Sequence, residues 1–132
     1  MPSTPDKDPL TPRTLIAALN HASDSLGLYC AELARILGLR CDDVSDSRAL
    51  EKQLQYEAPV QECAQRLVHL YTLLETRFDD DNVAMVHWLR VEHSGIGTTP
   101  LLAMVDEGRL EDVVAASIQA QDVTKLSRKL GI

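Results

Sequence analysis

Apolar residues recur at three-to-four spacing along nearly the whole chain, and no other feature of the sequence constrains the fold as much. Val60, Cys63, Ala64, Leu67, Leu70, Tyr71 and Leu74 fall on one stripe, as they would along one side of a helix of about four turns. Leu15, Ile16, Leu19, Ala22 and Leu26 make an earlier stripe that stops at Gly27, a residue suited to the left-handed position after a helix. No segment alternates with period two over a strand's length, and no hairpin dipeptide such as Asn-Gly occurs. An all-α fold of about seven helices is expected.

Punctuation between the stripes divides the chain. Pro2, Pro5 and Pro9 stand among polar residues, so residues 1–11 read as a flexible tail. Thr11-Pro12 can cap and start the first helix. "CAELARILG" is a short second helix with Ala31, Leu33, Ala34 and Leu37 inward, closed by Gly38. A third helix is expected from Asp42 or Asp43, carrying Val44, Ala49, Leu50 and Leu54, before Pro59 opens the longest one. Asp81 or Asn82 caps "VAMVHWLRV"; "TPLLAMVDEG", "RLEDVVAASIQAQ" and a closing "DVTKLSRKL" follow. The expected organisation is a tail over 1–11, a helix-turn-helix-like region over 12–57 and a helical region over 58–132.

At 132 residues and 45% hydrophobic content, the chain can bury one core but hardly two. No apolar run approaches the roughly 20 residues that cross a bilayer, and "MPSTPDKDPLTPR" has no apolar leader segment, so no membrane partner and a cytoplasmic location are expected. Cys30, Cys41 and Cys63 form no CxxC spacing and read as free thiols. The balance of 13 Lys and Arg against 20 Asp and Glu gives a net charge of −7, which opposes general binding to nucleic acid.

Several stretches invite a chemical reading and do not sustain it. "GIGTTP" lacks the preceding strand and the Lys of a phosphate loop; a helix stop at Gly95 or Gly97 and a restart at Thr99-Pro100 account for it. "DDDN" lacks the length, Gly and Glu of a calcium loop and suits an acidic helix start. His21, His69, His87 and His93 have no partners at zinc-ligand spacing. Without a nucleophile-elbow motif or a linked Cys–His pair, no catalytic residue, cofactor or metal is expected. Trp88, the lone Trp, reads foremost as a core residue.

Residues 25–53, "SLGLYCAELARILGLRCDDVSDSRALEKQ", resemble the helix-turn-helix of Xre/Cro-type repressors around the "AELARILG" core. The resemblance puts Arg40, Cys41, Asp42, Asp43, Ser45 and Asp46 at groove-facing positions, where three carboxylates face phosphate with Arg40, Arg48 and Lys52 in partial compensation. Tyr29 stands where the family has a small hydroxyl cap.

The stretch from "RFDDDN" to "VVAASI" resembles the toxin-binding domain of Xre/MbcA/ParS-type antitoxins. Ala84, Trp88-Leu89, Gly95, Gly97, Thr99-Pro100, Leu102, Gly108 and Val113 carry the likeness, which with the helix-turn-helix covers about residues 14–120. The loop "RVEHSGIG" departs from it in lacking a Pro-Asn pair. The resemblance implies a homodimeric antitoxin that neutralises a RES-type, NAD-degrading toxin. The implied toxin-facing residues are Trp88, Leu89, Arg90, Thr99, Pro100 and Arg109, together with Lys125, Arg128 and Lys129 of a basic tail. DNA binding through Arg40, Arg48 and Lys52 would make the chain a transcriptional regulator instead. An orphan homo-oligomer without toxin is the third alternative.

Overall fold

The computed structural model describes residues 11–118, and over that span the chain is all-α. The helices are α1 (Pro12–Ser25), α2 (Cys30–Leu37), α3 (Cys41–Ser45), α4 (Ser47–Tyr56), α5 (Ala58–Phe78), α6 (Asn82–Leu89) and α7 (Pro100–Val105). A further helix, α8, occupies 110–118. Among the described residues the one extended pairing is an isolated bridge between His93 and Thr98.

Local chemistry explains most boundaries. The Thr11 hydroxyl accepts from the Thr14 N–H at 3.2 Å, so α1 starts with a capped turn and Pro12 inside it. Gly27 and Gly38 both take positive φ. After each, a Schellman-type closure returns N–H groups to the last helical carbonyls, Leu28 to Ser23 and Leu39 to Ala34. Asp81 accepts from the Ala84 N–H at 3.2 Å to start α6. Ahead of it, Asp79 and Asp80 turn the chain with φ of 51° and 65°.

The stripe on α5 is the axis of the molecule. Val60, Ala64, Leu67, Leu70, Tyr71 and Leu74 are buried, and α1, α2, α4 and α6 all pack against this helix. One cluster of buried side chains runs from Leu15 through Leu50, Leu67 and Trp88 to Val113, so the two helical regions share a core. Each fully buried Leu contributes roughly 1.5–3 kcal/mol to holding it.

Four expectations are corrected. The third helix is two: Asp46 adopts an extended φ,ψ of −98° and 112°, and its carboxylate caps α4 through the Arg48 N–H at 3.0 Å. Ala31 is exposed, and the inward arc of α2 is Leu33, Ala34, Ile36 and Leu37. Helix α6 ends at Leu89, short of Val91, because His93 folds back and bonds the Trp88 carbonyl at 2.9 Å through Nε2. Gly95 and Gly97 therefore stop no helix; they lie in the turn that the His93–Thr98 bridge closes, with Gly97 at φ 88°. Residues 1–10 of the expected 1–11 tail and the closing "DVTKLSRKL" helix lie outside the described residues. No helix among those described is long and apolar enough to cross a membrane.

Candidate partner-binding surface

Three of the residues expected on a partner surface are inside the molecule. Trp88 is 6% exposed, Leu89 is 1% exposed, and Pro100 is buried at the start of α7. Burial removes them from direct contact with a partner. The Trp88 ring lies against the His93 ring at 4.9 Å between centroids. The Arg77 guanidinium sits 5.9 Å from the Trp88 centroid and 4.9 Å from that of Phe78, and burial lowers its pKa by disfavouring the charged form. The indole thus fixes the packing around the end of α6 and leaves the surface to its neighbours.

Arg90 is one of those neighbours, and it is exposed. Its guanidinium donates to the Gly27 carbonyl at 3.0 Å and to Glu32 Oε1 at 3.4 Å. The same group stands 6.0 Å from the ring centroid of Tyr29, a residue that is 71% exposed. Tyr29 holds the start of α2 with its backbone, donating its N–H to Glu32 Oε1 at 2.9 Å, which leaves the ring standing outward. Glu32 therefore accepts from both the helix cap and Arg90, and holds the Arg beside the Tyr.

The patch continues along α6. Val83, Val86 and Arg90 are spaced to share one face of a helical turn series. Val86 packs on the α1–α2 turn so closely that a Cβ at Gly27 would lie 3.1 Å from Val86 Cγ2. Val83 is 80% exposed, and with Val86, Asp24, Ser25 and Asn82 it borders a shallow depression of about 280 Å³. The result is an exposed strip with an aromatic and an Arg at one end and valines at the other. Tyr and Arg in such a setting are the residue types that carry binding energy at protein interfaces. Sequence reading finds Arg90 as a surface residue but not Tyr29 or Val83; the signal available was a Tyr at a cap position, where its side chain is unsuited to capping.

Thr99 and Arg109 have structural duties. The Thr99 hydroxyl accepts from the Leu102 N–H at 3.1 Å and caps α7. Arg109 donates to Asp112 at 2.8 Å, to Glu107 at 2.9 Å and to the Ile96 carbonyl at 2.9 Å, which ties the 93–98 turn to the start of α8. Asp112 first, then Glu107, hold its pKa above the ordinary Arg value, so its charge is already neutralised locally. Arg109 also borders a groove of about 450 Å³ between α5 and α8, with Ile36, Cys63, Arg66 and Glu111. Arg66 and Glu111 pair across it at 2.7 Å.

Arg40, Arg48 and Lys52 are exposed along α3 and α4. Two of the carboxylates beside them have backbone roles: Asp43 accepts from the Arg40 N–H at 3.3 Å and Asp46 from that of Arg48. Their charges remain, and α3, at five residues, offers a short reading helix. Lys125, Arg128 and Lys129 lie outside the described residues. Among the described residues no three His, Cys, Asp or Glu side chains gather as they would around a metal ion. Compared with protein-family models and with curated proteins, the chain matches none.

Proposed function

We propose that the chain is a non-catalytic binding protein, an antitoxin-like partner that captures and neutralises a RES-type toxin. The supporting observation is the strip formed by Tyr29, Arg90, Val86 and Val83, where an exposed Tyr and an Arg held by Glu32 continue into the half-buried Val86 and the exposed Val83. The likeness of "WLRVEHSGIGTTPLL" and its flanks to antitoxin toxin-binding domains supplies the class of partner. The strip makes the contact, while Trp88, Leu89, Pro100 and Arg109 hold its frame. In the family it resembles, the C-terminal region reaches toward the toxin's dinucleotide site, and the same role is assigned here to the basic residues Lys125, Arg128 and Lys129, which lie outside the described residues. Removing residues 122–132 is then expected to weaken inhibition in a toxin-activity assay; equal inhibition by the shortened chain overturns the role of the tail.

A second reading is favoured by the exposed Arg40, Arg48 and Lys52 next to the α2–α3 pair: a helix-turn-helix regulator acting on its own promoter. It requires sequence-specific binding that weakens steeply with salt and is lost in Arg40→Ala and Arg48→Ala. A gel-shift titration on the chain's own upstream DNA decides it. The net charge of −7 and the carboxylates of Asp42, Asp43 and Asp46 weigh against it.

A further inference from the structure

Cys30 is the first residue of α2 and Cys41 the first of α3. The tight turn at Gly38, with its left-handed φ of 73°, folds α3 back so that these two starts lie side by side. Both cysteines are exposed, and their sulfurs are 3.0 Å apart, with the Cys30 thiol also 3.6 Å from the Cys41 carbonyl oxygen. That separation is about 1 Å beyond a bonded disulfide, whose S–S length is about 2.05 Å. In sequence the two stand 11 residues apart and form no recognisable motif. The third cysteine is placed differently: Cys63 is half-buried, its thiol donates to the Ile36 carbonyl at 3.0 Å, and burial pushes its pKa up.

We propose that Cys30 and Cys41 are a reversible oxidation site, a dithiol that closes to an intramolecular disulfide in the presence of a low-molecular-weight disulfide such as oxidised glutathione. One cysteine thiolate attacks a glutathione sulfur, forming a mixed disulfide and expelling a glutathione thiolate, which takes up a proton. The neighbouring cysteine, deprotonated by solvent, then attacks the protein sulfur of that mixed disulfide. The protein S–S bond forms, the bond to glutathione breaks, and a second glutathione leaves. The two cysteines lose two electrons and two protons, and the oxidant gains both. Exposure gives the oxidant access, and proximity makes the second step intramolecular. The bridge would pin the starts of α2 and α3 to each other and fix Tyr29 and Arg40, the residues directly before them.

The Cys30 thiol is held above its ordinary pKa, first by its hydrogen bond with Cys41, then by slight burial and by the negative charges of Cys41 and Asp42. Cys30 therefore rests as a thiol near neutral pH, and the pair reacts by virtue of its geometry more than of unusual acidity at Cys30.

The test uses the full chain, equilibrated in mixtures of reduced and oxidised glutathione, trapped with an alkylating agent and read by intact mass and peptide mapping. The expected oxidised form is a monomer two hydrogens lighter, with the peptides of Cys30 and Cys41 linked, Cys63 alkylated, and full return on reduction. Cys63→Ser is expected to behave identically, while Cys30→Ser and Cys41→Ser each stop at one retained glutathione. Separate glutathione adducts on Cys30 and Cys41, a bridge to Cys63, or a bridge between two copies of the chain would each overturn the assignment. So would three thiols that remain alkylatable at the most oxidising mixture, with circular dichroism confirming that the chain is folded.

Discussion

Trp88 and Arg90 lie two positions apart and have opposite roles, one buried in the core and one exposed beside Tyr29. Trp88→Ala removes a buried aromatic and leaves a cavity, and is expected to cost about 3–5 kcal/mol in urea denaturation followed by circular dichroism. Arg90→Ala breaks a solvent-exposed pair with Glu32 and a bond to the Gly27 carbonyl, so its cost is expected to stay near 1 kcal/mol. Its effect on partner affinity is expected to be about tenfold or more. Tyr71 carries a pH prediction. Its hydroxyl donates to Glu75 and lies 3.0 Å from His21 Nε2, and the bond to Glu75 leads the causes that raise its pKa above the ordinary 10.0. A raised value means the folded state holds this proton more tightly than the unfolded state. The resulting stability is complete below pH 10.0 and lost as pH rises through the folded value. Wild type is expected to lose stability there more steeply than Tyr71→Phe; equal slopes would show that Tyr71 is not the group responsible.

At the scale of elements, the caps were the most legible feature of the sequence. Thr11, Asp81 and Thr99 accept from the N–H groups their positions anticipate, and Gly27 and Gly38 take the left-handed backbone expected of them. Such signals act over three or four residues, so one sequence contains them. Thr99→Ala is expected to cost about 1 kcal/mol of stability through loss of the α7 cap. Gly27→Ala should cost more than that, since φ is +68° and the new methyl would meet Val86 Cγ2 at 3.1 Å. A melting temperature equal to wild type would show that the α1–α2 turn adapts freely. The end of α6 and the break at Asp46 were not legible. One depends on an imidazole reaching back to a carbonyl five residues earlier; the other depends on a carboxylate ending one helix to cap the next. The strip was half legible for a similar reason. Arg90 could be named from the sequence, but Tyr29 lies 61 positions earlier and meets it only because Glu32 and the Gly27 carbonyl hold the Arg there.

For the molecule as a whole, one core continuous from α1 to α8 argues that the helix-turn-helix-like part and the rest unfold together. A single transition is expected in urea whether the probe is circular dichroism or Trp88 fluorescence. Trp88 sits in the later half of the chain and circular dichroism samples all the helices, so transitions that fail to coincide would mean two units. The net charge of −7 spreads a field that repels nucleic acid and favours a partner with basic surface around its binding site. We propose capture of a partner protein through the Tyr29–Arg90 strip. Its most direct test is isothermal titration of the full chain with the purified product of the adjacent gene, repeated with Tyr29→Ala and Arg90→Ala. The expected result is a stable complex weakened about tenfold or more by each substitution at unchanged helix content. No complex with wild type, or equal affinity for all three chains, would contradict it.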